Sequence, residues 1–350
     1  MAAAGGAGGE GFVKGRNVLV TGCTHGIGEQ LCHQLAAAGA AKVFLGCRNG
    51  ELGQQLAAAL EAKGVLEAKV VLGDLATVAG AVSMARQVLA TKEPVHVLVS
   101  NAGTWEALRN ERVTTADGLE IHFAVNYLST PVLVKALLPV LKKSEARVLV
   151  CGSFTAVDMA QGVVRNWDLQ SAANPKWVHR GAPIPGVYNA AAYAQSKLLL
   201  YMWAKRAAEE LRGTGVTLNI FDPGNCHTNL EFYTSMANSF GRAFPLMKAL
   251  MGTRTAADGA RPATWLADAP EAAGLHGMHV QWKRFHGLDP RQAPVPIGVF
   301  PWWTDSPPWR RWPLSLVFGA ANHWAPAVAD SAEVDRLWEA TEELCARLMP

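Results

Sequence analysis

A glycine-rich turn near the start of the chain constrains the fold more than any other segment. Residues 21–28 read Thr-Gly-Cys-Thr-His-Gly-Ile-Gly, between the apolar run 17–20 and a stretch with helical periodicity. Glycine is needed where a turn is tight, where backbone approaches phosphate, and where a helix packs on a strand. Because free N–H groups at a helix N-terminus attract anions, this turn is predicted to hold a dinucleotide pyrophosphate. The predicted contacts are Thr21, Gly22, Thr24, His25, Gly26, Ile27 and Gly28.

Short apolar runs alternate with longer helical patterns as far as about residue 220. Such alternation predicts βαβ units, whose right-handed crossovers build a parallel sheet. The predicted strands are 17–21, 42–47, 68–73, 95–100, 146–152 and 215–221. The predicted helices are 26–39, 51–64, 76–92, 117–142 and 190–212. We therefore expect an α/β fold with a single Rossmann-type, doubly wound parallel sheet and helices on both faces.

The remainder of the chain has a different character, because the alternation fades after residue 230. Five tryptophans occur among prolines in 292–330, namely Trp302, Trp303, Trp309, Trp312 and Trp324. This irregular Trp/Pro-rich extension is predicted to be a satellite cluster on the main core, a rim of the pocket, or a surface at a membrane or subunit interface. The predicted organisation is a disordered tail at 1–14, a Rossmann domain at 15–291, the excursion at 292–330, and a C-terminal helix at 331–350 packing on the same domain.

Composition narrows the classes of function. The formal net charge is +3 without any block of like charges, so no nucleic-acid partner is expected. The six cysteines lack the spacing of a zinc site or a disulfide framework, which predicts buried free thiols, no metal and a reducing compartment.

The termini and apolar segments bear on location. The first ten residues have neither the pattern of a signal peptide nor that of a transit peptide, and a cytoplasmic location is expected. The segment 312–329 has no formal charge and reaches the length of a membrane span, but its prolines, Asn322 and His323 argue against a spanning helix. Peripheral membrane contact through the Trp-rich segment stays open.

A tyrosine and a lysine lie one turn apart in the predicted helix 190–212. Tyr193 and Lys197 are spaced i and i+4, which places phenol and ammonium on one helix face. A phenol exchanges protons poorly near neutral pH unless a nearby positive charge favours the phenolate. The second such pair, Tyr201 and Lys205, is about 12 Å further along and rotated by about 80°. We expect Tyr193 to be the functional tyrosine because it lies near the strand ends, whereas Tyr201 lies in an apolar run.

The order of these motifs is characteristic. The set comprises Thr-Gly-x-x-x-Gly-x-Gly at 21–28, Asn101-Ala102-Gly103, Asn126, Ser153, and Tyr193 with Lys197. In this order the chain resembles the short-chain dehydrogenase/reductase family over residues 15–230. Further features resemble its retinol dehydrogenase-like and WW-domain oxidoreductase-like branch, namely Cys47-Arg48, the segment 117–120, Pro223-Gly224, the segment 228–230 and the segment 337–339.

The resemblance implies a role for each member of a catalytic tetrad. Tyr193 would transfer the proton to or from the substrate oxygen. Lys197 would lower the pKa of that tyrosine and hold the nicotinamide ribose. Ser153 would hydrogen-bond the carbonyl or alkoxide, and Asn126 would hold a water that links Lys197 to solvent. Proton transfer of this kind contributes about 10²–10⁴ in rate.

Three features depart from the pattern of the family. Ser153 precedes Tyr193 by 40 residues, so residues 155–190 must form an excursion that brings the two back together. The frequent Ser-Ser of the family appears here as Gly152-Ser153, which leaves one hydroxyl. Asp222 stands where many relatives have histidine before Pro-Gly.

The end of the second predicted strand bears on the coenzyme. It offers Cys47-Arg48 and no acid to accept the ribose hydroxyls of NAD. Arg48 can pair with a 2′-phosphate through two hydrogen bonds, and His25 can add to it, so NADP (NADPH) is the predicted cofactor. The alternative is that Arg48 is only a solvated surface charge. The resemblance implies further coenzyme contacts at Asp74, Leu75, Asn101, Ala102, Gly103, Pro223, Gly224 and Thr228.

The predicted activity is interconversion of a lipophilic, retinoid- or steroid-like carbonyl and its alcohol. The resemblance implies a lid over the substrate at 228–251, and its apolar, adaptable composition fits such a substrate. An alternative is an NADPH-bound interaction protein with little turnover, suggested by the 155–190 excursion and the Trp-rich segment. Epimerisation or dehydration is a third option. The resemblance also implies that a homodimer can form through the predicted helices 117–142 and 190–212.

Overall fold

The computed structural model describes residues 10–65, 67–106, 112–153, 155–158, 187–224, 226, 254–281, 295–296, 328 and 330–349. Within these residues the strands form one eight-stranded sheet in the order β3-β2-β1-β4-β5-β6-β7-β8. Neighbouring strands run parallel except for β8, which pairs antiparallel with β7. The strands are β1 Asn17–Thr21, β2 Lys42–Cys47, β3 Glu67–Leu72, β4 Val97–Ser100, β5 Arg147–Cys151, β6 Thr217–Asp222, β7 Met278–Gln281 and β8 Val295–Pro296.

Helices cover both faces of this sheet, which confirms the predicted doubly wound α/β class. The helices are α1 Gly26–Ala37, α2 Gly50–Glu61, α3 Val78–Ala90, a π-helix Phe123–Leu128 continued by α4 Ser129–Lys143, α5 Thr155–Asp158, α6 Val187–Glu210, α7 Ala256–Asp268, a 3-10 turn Pro270–Ala272, and α8 Ser331–Leu348. Successive strand residues point to opposite faces of the sheet and belong to two apolar layers. On one face Leu19 packs in a cluster with α3, α4 and α6. On the other face Val18 and Val20 pack in a cluster with α1, α2 and α7. The six cysteines are all free and buried, as predicted.

The predicted strand boundaries agree with the structure to within two residues, but one predicted helix begins late. The stretch predicted as helix from residue 117 starts with a turn, closed by a bridge between Thr114 and Glu120. Within that turn the Asp117 carboxylate accepts a hydrogen bond from Val78 N at 2.7 Å, at the first residue of α3. The Asp117 side chain therefore satisfies a free N–H group at the start of α3 and does not begin a helix in its own segment.

Helix α7 and strands β7 and β8 were not predicted from the sequence, whereas the C-terminal helix predicted at 331–350 is present as α8. Helix α7 begins after Thr255, whose hydroxyl accepts from Asp258 N at 3.1 Å, and it carries Pro262 in its interior. Proline is disfavoured inside helices because it removes a backbone hydrogen bond. Pro262 therefore argues against a helix when only the sequence is considered. The short strands β7 and β8 extend the sheet past β6.

Part of the predicted N-terminal tail packs on the domain. Phe12 N donates to Asp268 O at 2.8 Å, and Val13 N donates to the Asp268 carboxylate at 2.9 Å. The Phe12 ring lies 3.7 Å from the Arg16 guanidinium and 3.9 Å from that of Arg147. These cation–π contacts and the burial of Val13 order residues 12–14, contrary to the expectation of a disordered tail up to residue 14.

The C-terminal helix α8 packs against α4 and α6. The hydroxyls of Tyr127 and Thr341 are 2.5 Å apart, and Lys135 Nζ lies 2.6 Å from the Glu342 carboxylate. On the α6 side, Arg206 Nε lies 3.1 Å from the Asp335 carboxylate. The chain from 331 to 348 is therefore part of the same folded unit.

One helical stretch of the described residues, Phe123–Lys143, is long and apolar enough to cross a membrane by length and composition. Within the protein, 67% of its most apolar window is buried against other elements. A core helix has this same composition, so packing in the domain accounts for it. The uncharged segment 312–329 lies outside the described residues except for Val328.

Candidate active site

The glycine-rich turn after β1 has the backbone geometry that its sequence predicted. Gly22 and Gly26 have φ of +65° and +58°, a region that residues with a Cβ adopt rarely. A Cβ on Gly28 would lie 2.1 Å from Gly22 O, so any side chain there would force the turn open. The turn thus delivers bare backbone to the N-terminus of α1, where a pyrophosphate can approach.

Asn101 fastens this turn to the end of β4. Its side-chain Nδ2 donates to Thr21 O at 3.1 Å and to Gly22 O at 3.2 Å. In return, the buried Thr21 hydroxyl accepts from the backbone N–H groups of Asn101 and Ala102, each at 3.1 Å. Residues 101 and 102 therefore shape the coenzyme turn from behind, which adds a mechanical role to the contact implied by resemblance.

The other predicted coenzyme residues that the structure describes lie at or just beyond the carboxyl ends of the strands. Arg48 is exposed just after β2, and His25 is exposed with Nδ1 2.9 Å from the Thr24 hydroxyl. Asp74 is exposed and accepts from Ala76 N at 3.0 Å, whereas Leu75 is buried. The remaining ones are Pro223, which is buried, Gly224, which has φ of +70°, Ile27, Gly103 and Thr228. Of these, Thr228 lies outside the described residues, as do the predicted lid 228–251 and the five tryptophans of 292–330.

Tyr193 and Lys197 lie on α6 with the predicted relation. Lys197 Nζ is 5.9 Å from the centre of the Tyr193 ring and donates to Cys151 O at 2.8 Å. Burial lowers the pKa of Lys197, and the neighbouring Cys151 and Asp222 partly oppose that shift. The amine is therefore held beside the phenol by the end of β5.

Asn126 reaches the same edge from the π-helix. Its Oδ1 accepts from Thr104 N at 2.7 Å, while Nδ2 donates to Thr104 O at 3.0 Å and to the Ser196 hydroxyl at 3.1 Å. A Cβ on Gly103 would lie 3.3 Å from Asn126 Oδ1 and 3.9 Å from Lys197 Nζ. Gly103 thus has Asn126 and Lys197 as immediate neighbours, so residues from β4, the π-helix and α6 meet there.

Ser153 lies two residues beyond β5 and is 8% exposed. Its hydroxyl is 2.9 Å from the Thr155 hydroxyl and accepts from Thr155 N at 3.3 Å. Because Lys197 holds Cys151 O, the serine follows directly from the strand end to which the lysine is attached. Of the predicted excursion 155–190, the structure describes residues 155–158 and 187–190 only.

The second tyrosine of α6 has a different environment. Tyr201 is fully buried, and its hydroxyl is 3.1 Å from His279 Nε2 on β7. Burial raises the pKa of Tyr201 well above its ordinary value, with Asp222 and Cys151 adding to the shift. A buried phenol with a raised pKa is unsuited to proton exchange near neutral pH, which favours Tyr193 as the reacting tyrosine.

Sequence reasoning missed the residues that pack on Tyr193. The Trp105 indole stacks on the phenol ring with 4.4 Å between centroids and 12° between planes, and His122 meets its edge at 6.3 Å. The buried His122 lies with Nδ1 2.5 Å from the Glu120 carboxylate, and Nε2 accepts from Glu106 N at 3.1 Å. A tryptophan two residues beyond Asn101-Ala102-Gly103 was the available signal.

Similarity to known proteins identifies the family of this chain. The short chain dehydrogenase family model matches residues 16–165. Retinol dehydrogenase 13 of Mus musculus is 32% identical over 81% of this chain and 79% of that protein. The chain belongs to the short-chain dehydrogenase/reductase family. Polyprenol dehydrogenase of Mus musculus is 33% identical over 76% of each chain, and such relatives confirm an oxidoreductase of the retinol dehydrogenase-like branch.

A solved structure of this family extends the likeness to three dimensions. The RhlG/NADP active-site complex of Pseudomonas aeruginosa superposes with a TM-score of 0.60 at 26% identity. The superposition covers 77% of this dehydrogenase/reductase and 95% of that chain. The Rossmann-type fold is thus that of the family.

Gly28→Ala is expected to weaken coenzyme binding by at least about tenfold, because the new Cβ would overlap Gly22 O and displace the turn. Fluorescence titration with NADPH measures the dissociation constant. Gly50→Ala is the matched control, since a Cβ there would meet only the Leu72 side chain at 3.6 Å. Equal affinity of the Gly28 variant and wild type would contradict the assigned role of the turn.

Proposed function

We propose that this enzyme interconverts a lipophilic carbonyl compound and its alcohol with NADP(H), on a retinoid- or steroid-like substrate. The observation that carries the proposal is the convergence of Tyr193, Lys197, Asn126 and Ser153 on one edge of the sheet. The names of the relatives, retinol and polyprenol dehydrogenases, support an apolar alcohol as the substrate class. The apolar sequence of the proposed lid 228–251 agrees with that class.

The residues after β1 and β2 fit a phosphorylated dinucleotide. The glycine cradle leaves room that a Cβ at Gly28 would fill, and its backbone lies at the N-terminus of α1. The exposed Arg48 follows β2 with no acid beside it to accept a ribose diol. His25 and Thr24 lie in the same loop. NADP(H) is therefore the coenzyme we assign, in keeping with the NADP complex of the RhlG relative.

The chemistry divides between the coenzyme and these side chains. NADPH, when bound, supplies the hydride. Tyr193 donates its phenolic proton to the substrate oxygen during reduction and takes it back during oxidation. Lys197 lies one turn away, and its protonated form favours the phenolate form of Tyr193 through its positive charge. Ser153 donates a hydrogen bond to the substrate oxygen, and Asn126 orders the polar groups between Thr104 and Ser196.

Asp222 supports the charge on Lys197. It is fully buried, and its carboxylate accepts from Gly224 N at 2.8 Å, which folds the Pro223-Gly224 turn. Its negative charge raises the pKa of Lys197 against the lowering caused by burial. The acid that replaces the histidine of many relatives therefore has an electrostatic role as well as a place in the turn.

The proposal also includes assembly and location. We propose a cytoplasmic protein, with contact to a membrane through the Trp-rich segment as an additional feature. Packing of α8 on α4 and α6 already covers part of both helices proposed for the homodimer. A homodimer through these helices must therefore use the surface that α8 leaves free.

Arg48→Ala is expected to raise the KM for NADPH about tenfold or more and to leave the KM for NADH nearly unchanged, because the lost guanidinium would pair with the 2′-phosphate. Steady-state kinetics with both coenzymes measures the change. Arg86→Ala removes another exposed arginine, on α3, and serves as the control. Parallel loss with both coenzymes would refute the assigned contact.

Tyr193→Phe is the direct test of turnover. We expect wild-type protein to oxidise NADPH with retinal, a steroid ketone or a long aliphatic aldehyde, and the variant to lose about 10²-fold or more in kcat. NADPH titration checks that the variant still binds coenzyme. Binding of NADPH without turnover on any of these carbonyls would favour the interaction-protein alternative over the enzyme.

Asp222→Asn is expected to shift the alkaline limb of the pH–rate profile to lower pH. Loss of the carboxylate charge lowers the pKa of Lys197 further, so the amine loses its proton, and its effect on Tyr193, at lower pH. The amide oxygen can still accept from Gly224 N. Asp117→Asn is the isosteric control on the α3 turn. An unchanged or alkaline-shifted limb would show that Asp222 does not act on Lys197.

A further inference from the structure

We propose that Tyr201 and His279 are positioning residues for Ser153. The tyrosine hydroxyl holds the backbone of the serine at the end of β5, and the histidine holds the tyrosine. This inference rests on the proposed role of Ser153 toward the substrate oxygen. It assigns a function to the second tyrosine of α6, which the catalytic proposal leaves unused.

The Tyr201 hydroxyl lies between the end of β5 and His279 of β7. The last ladder bond of β5 is Gly152 N to Phe221 O at 2.8 Å. The Tyr201 hydroxyl lies against the strand end just beyond it, since a Cβ on Gly152 would be 2.4 Å from that oxygen. The backbone of Ser153 lowers the pKa of Tyr201 against the effect of burial. The hydroxyl is 3.1 Å from His279 Nε2. In the proposed arrangement it accepts from the Ser153 amide and donates its own proton to that nitrogen. The imidazole edge also meets the phenol ring at 5.3 Å and 85°. In the proposed arrangement Tyr201 replaces the neighbouring strand as the partner of the Ser153 amide where the ladder ends.

Gly152 is matched to this tyrosine. A Cβ at Gly152 would lie 2.4 Å from the Tyr201 hydroxyl oxygen and 2.7 Å from its Cζ. A serine at position 152, frequent in the family, would therefore collide with the phenol. The glycine at position 152 therefore leaves room for the phenol of α6 beside the strand end.

The alternative is that Tyr201 only fills the core. A core tyrosine needs a partner for its hydroxyl, but that partner need not be the amide of a site residue. Tyr127 shows the contrast, because it is equally buried and its hydroxyl pairs with Thr341 of α8. Tyr127→Phe is therefore a matched control that loses one buried hydroxyl away from Ser153.

The first experiment measures hydrogen exchange of the Ser153 amide in full-length protein. Tyr201→Phe keeps the ring and removes the hydroxyl, so exchange at Ser153 should accelerate about tenfold or more. His279→Phe, which removes the acceptor but keeps a ring, should accelerate it in the same direction. Tyr127→Phe should leave it unchanged. Unchanged exchange at Ser153 in both test variants would overturn the inference, whether or not the protein turns over carbonyls.

The second experiment is a double-mutant cycle on kcat, with NADPH and a carbonyl accepted by wild type. Tyr201→Phe should lower kcat about tenfold and change the KM for NADPH by less than about twofold. In a Ser153→Ala background the same change should have no further effect, because Tyr201 acts through the serine. Additive losses would overturn the positioning role. Absence of turnover in wild type would refute the proposed function instead, while the exchange result stands separately.

Discussion

The hydrogen bond from Lys197 Nζ to Cys151 O is the contact on which the site depends. It joins the face of α6 that carries Tyr193 to the last residue of β5, one step before Gly152-Ser153. Without it the helix and the strand end would lose a direct polar contact beside the reacting groups. With it, the phenol, the ammonium and the serine belong to one rigid corner of the sheet.

Holding an ammonium in this corner has an electrostatic cost. A fully buried lysine tends to lose its proton, and the pKa of Lys197 is lowered for that reason. The buried Asp222 opposes the loss, and it also orders the Pro223-Gly224 turn at the end of β6. The departure from the histidine of many relatives is therefore connected to the lysine, on which the proposed chemistry depends. The Asp222 carboxylate thus favours the protonated form of Lys197 and also stabilises the Pro223-Gly224 turn.

The features that could be predicted from the sequence are those that depend on residues close together in the chain. The glycine turn, the buried parallel strands and the Tyr193/Lys197 pair depend on residues close together in sequence, and the structure places each as expected. Helix α7 was missed because Pro262 disguises its pattern. Tyr201 and His279, which are in contact, are 78 residues apart in the sequence, and Gly152 and Tyr201 are 49 residues apart. No pattern in a single sequence encodes such pairs, since they exist only after the sheet has brought β5, β7 and α6 together.

The stack of Trp105 on Tyr193 limits how a substrate can approach. One face of the phenol is covered by the indole at 4.4 Å, so an oxygen that meets the hydroxyl must come along the edge or from the opposite side. The indole is itself held by its neighbours, since Thr104 is fixed by Asn126 and Glu106 by His122. These bonds hold residues 104–106 in place. An ordered loop reduces the entropy lost when substrate binds, and it holds the phenol in the orientation that proton transfer requires.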